Sequence, residues 1–308
     1  MTRLRLGLRD LVAIAPRAVS RYTGTLLAVF VVQSLVAAAC MVAIAFVLAQ
    51  AFAHLPIFDE AVDGDLVALI ACLRWARPSF AAIGGIVFGA LLLWQLASWF
   101  VVGGIVGVIA HKPEGRADTA RAFGAAGAAT YLAYARLALC ALPGYALFVV
   151  ALKIGLGLVG SRIEHALTVP ELVGPVVLAT LPAFVLLHVA WTIVDYARVE
   201  LSLRYESHHP GVVATYLRAV AFVMRRPLAL VHGAVGWLAF AIVWVGYAYL
   251  AHGHPMYGAE GAVTLFVIRQ GVALARTAVR FGVIAGQVEL GKTRAAPARR
   301  VEAKASAT

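Results

Sequence analysis

Four polar side chains share one face of an apolar stretch near the C-terminal end of the chain. Arg269, Arg276, Arg280 and Gln287 follow one another at spacings of 7, 4 and 7 residues. At about 100° per residue the four fall in one narrow stripe of a helix, and most of the remaining positions of residues 262–288 are apolar or small. A guanidinium inside a bilayer costs several kcal/mol unless it faces the bundle interior and meets a partner. A second stretch supplies one. His188, Trp191, Asp195 and Arg198 recur at i, i+3, i+7 and i+10, again one helical face. The spacing predicts that Asp195 pairs with Arg280 or Arg276 between two helices. His188 and His232, with Gln33 and Gln95 at comparable depth, would complete a polar pocket opening inward.

Two kinds of chemistry fit such a stripe. Asp195 and an arginine can serve only to fix helix register, as buried ion pairs often do. Alternatively Arg269, Arg276 and Arg280 can bind an anion, since a phosphate or carboxylate matches the guanidinium fork. A voltage sensor repeats arginine every third residue, and this stripe does not. His208-His209 beside Glu206 and His252-Gly-His254 read as solvated surface rather than metal sites. The sequence has no Gly-x-Ser-x-Gly, no His-Glu-x-x-His, no phosphate-cradling glycine loop and no Cys-x-x-Cys. Neither catalysis, a metal nor a cofactor is therefore expected.

The elements that must position these groups follow from composition. The 308 residues are 62% hydrophobic and 13% charged, with a mean hydropathy of +0.88. A soluble domain is nearer half apolar and one quarter charged, so the fold class is an all-α, polytopic membrane helix bundle. The net charge of +11 would suggest nucleic acid on a soluble domain. Here most basic residues flank apolar spans, which points to topology and anionic lipid headgroups and away from nucleic acid. Cys40, Cys72 and Cys140 form neither a disulfide framework nor a zinc spacing.

Six spans are expected, at about 25–52, 81–110, 131–159, 176–195, 228–250 and 262–288. Residues 1–22 form a basic interfacial segment, and 23–289 the transmembrane domain. Residues 290–308 form a basic, alanine-rich tail expected to be disordered. Amphipathic stretches at residues 66–75 and 212–224 lie between spans, and Gly85-x-x-x-Gly89 and Gly103-x-x-x-Gly107 offer close-packing faces in the second span. Three hairpins, each preceded by a basic lead-in, suggest an internal repeat. Eighteen Lys and Arg fall on one side of such a six-span layout and three (Arg74, Arg77 and Arg162) on the other. The excess of basic residues marks the cytoplasmic side and places both termini there.

Asp195-Tyr-Ala-Arg198, the basic elbow up to Arg225-Arg226-Pro227 and the arginine-bearing last span resemble a family of uncharacterised six-helix inner-membrane proteins of high-GC bacteria. The resemblance implies a bacterial inner-membrane address and carries no activity. The function expected is a non-catalytic scaffold or accessory component that binds anionic lipid or a partner membrane protein. The alternative is a transporter or channel for an anionic solute or lipid headgroup.

Overall fold

A computed structural model describes residues 7–52, 60, 66–75, 77, 79–165, 169–204, 211–252 and 258–305. Arg3, Arg5, the acidic residues Asp59, Asp63 and Asp65, Glu206 with His208-His209, and His254 lie outside them. Every element among the described residues is an α-helix. They are α1 (Leu8–Arg21), α2 (Thr23–Phe52), α3 (Leu66–Trp75), α4 (Ser79–His111), α5 (Arg116–His165), α6 (Val169–Arg204), α7 (Val212–Arg225), α8 (Pro227–His252) and α9 (Gly258–Ala305).

Among the described residues five helices, α2, α4, α5, α6 and α8, are long and apolar enough to cross a membrane. Large apolar side chains stand exposed along them, Val42, Phe88, Leu158, Leu178 and Val245 among others. Water would reject such surfaces, whereas lipid accepts them. The chain is a multi-pass integral membrane protein. α9 is not among the five; Arg269, Arg276 and Arg280 punctuate its apolar run.

Several boundaries differ from those expected. α5 is one helix from Arg116, so the alanine-rich stretch before Thr130 is helical rather than a connection. Alanine has the highest helix propensity, and no Pro or paired Gly interrupts residues 116–130. By contrast α1 and α7 are separate helices, ending at Tyr22 and Arg226 before α2 and α8 begin. The second of the three lead-ins thus differs in build from the first and third. α9 likewise runs on to Ala305, through the tail expected to be disordered; Ala, Arg, Lys and Glu there are good helix formers.

The chain divides into two compact units, residues 27–98 and residues 1–26 with 99–308. Within the first, Ala68 and Cys72, one turn apart on α3, are buried, and a Cβ added to Gly85 or Gly89 would meet nothing within 4 Å. The second unit holds the stripe. Its core gathers Leu11 of α1, Tyr134 and Leu137 of α5, Ala197 of α6, Val223 of α7 and Leu290 of α9. Small residues let the backbones close. Gly103 and Gly107 at the C-terminal end of α4 sit against Ala126, Gly127 and Thr130 of α5, as the small-residue spacing suggests. Gly282 of α9 meets Ala15 of α1, and Gly286 meets His232 of α8. α1 packs directly on α9, with Tyr22 beside Phe281 at 6.4 Å between ring centres.

Candidate functional site

Asp195 sits on the inward face of α6 and is only 4% exposed. Arg280 of α9 reaches it with both terminal nitrogens. Nη1 donates to Oδ2 and Nη2 to Oδ1, each at 2.7 Å. Two parallel charge-assisted bonds of this length are the strong form of the interaction. Gln287, two helical turns further along the same stripe, donates its Nε2 to Oδ2 at 3.2 Å. Arg198, three residues on from Asp195, completes the shell with Nη1 at 3.6 Å from Oδ1. One carboxylate therefore ties α6 to α9 through two residues of α9, and both its oxygens are occupied.

Aromatic rings frame the pair. The Arg280 guanidinium lies 5.7 Å from the Trp191 ring centre, and Arg198 lies 5.8 Å from that of Tyr134. The Tyr134 hydroxyl donates to the Arg198 carbonyl at 3.0 Å and accepts from Ser202 at 2.6 Å. Trp191 meets Trp237 of α8 edge-on at 5.7 Å, and Trp237 meets Phe240 at 6.4 Å. Phe240 in turn carries Arg276, whose guanidinium is 5.4 Å from the ring centre. The stripe thus continues onto α8. At its far end Arg269 donates Nε to the Tyr247 hydroxyl at 2.9 Å.

Of the two arginines that could have met Asp195, Arg280 does. Arg276 and Arg269 lie on α8 side chains instead, and both are exposed. Neither histidine named for the expected pocket is bonded to Asp195. His188 donates its Nε2 to the Leu230 carbonyl at 3.0 Å rather than turning to Asp195, which fixes its tautomer. His232 is buried against Gly286, and its Nδ1 has no hydrogen-bond partner among the described residues. Gln33 and Gln95 belong to the other unit. Helical phase places a residue on a face but not at a neighbour, and the two histidines turn elsewhere than to Asp195.

A second network escaped the sequence. Glu200, buried on α6, accepts from Arg218 Nε of α7 at 2.8 Å and lies 3.4 Å from Arg204 Nε one turn along its own helix. Arg218 also donates Nη2 to the Thr215 hydroxyl at 2.9 Å. Burial pushes the Tyr216 phenol beside it above its ordinary value. A third contact joins Glu289 of α9 to Lys292 (3.0 Å) and to Lys112 (3.5 Å) in the turn after α4. Lys112 adopts a left-handed backbone (φ 51°), and its carbonyl accepts from Arg21 of α1 at 3.4 Å. The sequence signals were the i,i+4 spacing of Glu200 and Arg204 and the i,i+3 spacings of Thr215 with Arg218 and of Glu289 with Lys292.

Compared with protein-family models, with curated proteins and with solved structures, the chain matches none. Its chemistry rests on the geometry alone. Among the described residues no three of His, Cys, Asp and Glu are grouped to hold a metal ion.

Proposed function

We propose that the chain is a non-catalytic scaffold or accessory component of a bacterial inner membrane. It crosses that membrane six times, α9 being the sixth span, with both termini in the cytoplasm. Its basic cytoplasmic surface holds anionic lipid or a partner protein. The observation that carries this reading is the closed shell around Asp195. A carboxylate gripped by Arg280 through two bonds, and by Gln287 through a third, fixes the register of α6 against α9. An arginine spent in that way has no free fork for a travelling anion. Arg269 is similarly engaged at Tyr247. The competing reading, a transporter or channel for an anionic solute, needs several such forks presented along one path.

The sixth crossing is supported by the same pair, since an apolar helix carrying Arg280 becomes tolerable in a bilayer once its charge is met. Lipid binding is supported by the surface. Arg9 and Arg17 of α1, Arg116 and Arg121 of α5, and Arg225 and Arg226 around the end of α7 are all exposed. All lie on the side that the charge count assigns to the cytoplasm. Each Lys or Arg near an anionic leaflet contributes about 1 kcal/mol.

Native mass spectrometry tests the proposal. The protein is extracted in mild detergent from its own host, beside an Arg225→Gln/Arg226→Gln double variant. Anionic phospholipid or a protein subunit retained by the wild type and weakened in the double variant supports it. A wild type that emerges bare and monomeric, or that carries only a small solute anion, overturns it.

A further inference from the structure

Arg276 differs from its neighbours on the stripe in a way that bears on what the chain binds. In the six-span layout it stands roughly 20 Å along α9 from Glu289 and about 10 Å from Arg269, by helix rise. In a hydrocarbon core about 30 Å thick that is the middle third. Arg269, with Tyr247 beside it, is close to the opposite interface, where a guanidinium can reach headgroups. Arg280 is neutralised by Asp195. Arg276 has the face of Phe240 and, among the described residues, no carboxylate and no hydrogen-bond acceptor. A ring face offers a desolvated cation about 2 kcal/mol, less than the cost of holding a charge at that depth.

The chain's own spans cannot supply the missing charge. Residues 27–52, 79–98, 119–163, 227–252 and 261–288 contain no Asp or Glu at all. Residues 172–199 contain Asp195 alone, and its two oxygens are taken by Arg280, Gln287 and Arg198. A second copy would bring the same single, occupied carboxylate. Lipid phosphates lie at the interfaces, about 10 Å or more from Arg276 by the same rise. What remains at this depth is an acidic side chain on another protein's membrane-spanning helix.

We propose that Arg276 is the docking residue for a partner transmembrane helix that carries an Asp or Glu near its middle. The partner seats on the α8–α9 face, its carboxylate meeting the Arg276 guanidinium on the side away from the Phe240 ring. This inference rests on the accessory reading above and names the partner's chemistry. It also accounts for an exposed guanidinium retained in an otherwise apolar face: the charge selects one helix among many of similar shape.

The test is photocrosslinking in intact membranes of the host. A benzophenone amino acid replaces Trp244, which is exposed on α8 one turn from Phe240, in otherwise wild-type, Arg276→Gln and Arg276→Lys chains. The expected result is a crosslinked membrane-spanning segment, sequenced from the adduct, with an Asp or Glu at mid-span. Its yield falls about tenfold in Arg276→Gln, the size of one interhelical polar contact, and returns in Arg276→Lys. Changing the partner's acid to Lys should abolish the adduct with the wild-type chain and restore it with Arg276→Glu. Detergent-extracted Arg276→Gln must unfold at the wild-type temperature, so that the loss reflects docking and not misfolding. Three outcomes overturn the inference: an adduct to phospholipid alone, a protein segment with no mid-span acid, or a yield indifferent to Arg276→Gln. If native mass spectrometry still finds a subunit on both the wild type and Arg276→Gln, the accessory reading survives and only this docking site falls. If neither carries a subunit this docking site falls, and if neither carries anionic phospholipid either, the accessory reading falls with it.

Discussion

The two halves of α9 solve one problem in opposite ways. From Phe281 to Leu290 nearly every residue is buried, and Gly282, Ala285 and Gly286 let α1 and α8 come close. Here the charge of Arg280 is answered within the chain. From Val263 to Gly271 the helix exposes Val263, Phe266, Val267 and Arg269, and a Cβ added to Gly271 would meet nothing within 4 Å. Arg276 stands between, one turn from Arg280, with a ring and no anion. Identical side chains four residues apart therefore do different work. One closes a fold, and the other is left for something outside it. The difference comes from packing: α6 brings its one carboxylate to Arg280, while Arg276 faces a ring of α8.

Breaking the closed half should cost most. Asp195→Ala leaves Arg280 and Arg198 without their anion, and removing one member of a buried pair typically costs about 3–5 kcal/mol. A large fall in the unfolding temperature in detergent is expected, with partial recovery when Arg280→Gln is added to Asp195→Asn. Next, Gly286→Val would drive a branched side chain into His232, and Gly282→Val would lift α1 from α9. Each should destabilise by about 1–3 kcal/mol, read from the same unfolding curves. Gly271→Val, on the open half, should be close to neutral. If it is as damaging as Gly286→Val, the two halves are not packed differently. The smallest effect is expected at Glu289→Gln. Its pairs with Lys112 and Lys292 are partly exposed, so the loss should stay within about 1 kcal/mol and shrink as salt is raised.

Much of this contrast is visible in the sequence, for a simple reason. With Asp195 the one acid among the spans and the arginines at helical spacing, phase and depth narrow its partner to Arg280 or Arg276, and packing decides between them. The glycine spacing at Gly103 and Gly107 similarly gives a close helix contact. Packing across long separations is less legible. Nothing in residues 8–21 says that Ala15 will seat on Gly282 rather than on lipid, because an amphipathic helix suits either surface. Glu200 meets Arg218 only because α7 folds back along α6, a geometry no local period encodes. His188 and His232 lie at the right depth for a pocket, yet one is claimed by the Leu230 carbonyl and the other by its fit beside Gly286. Depth does not fix the direction in which a ring turns.

Arg280 belongs to the fold and Arg276 does not. Thermal unfolding of the full chain in a single detergent, with Arg280→Gln beside Arg276→Gln, tests it directly. A marked drop is expected for Arg280→Gln, which strands Asp195, and an unfolding temperature for Arg276→Gln at or slightly above that of the wild type. Equal drops in the two variants, or a drop confined to Arg276→Gln, would contradict it.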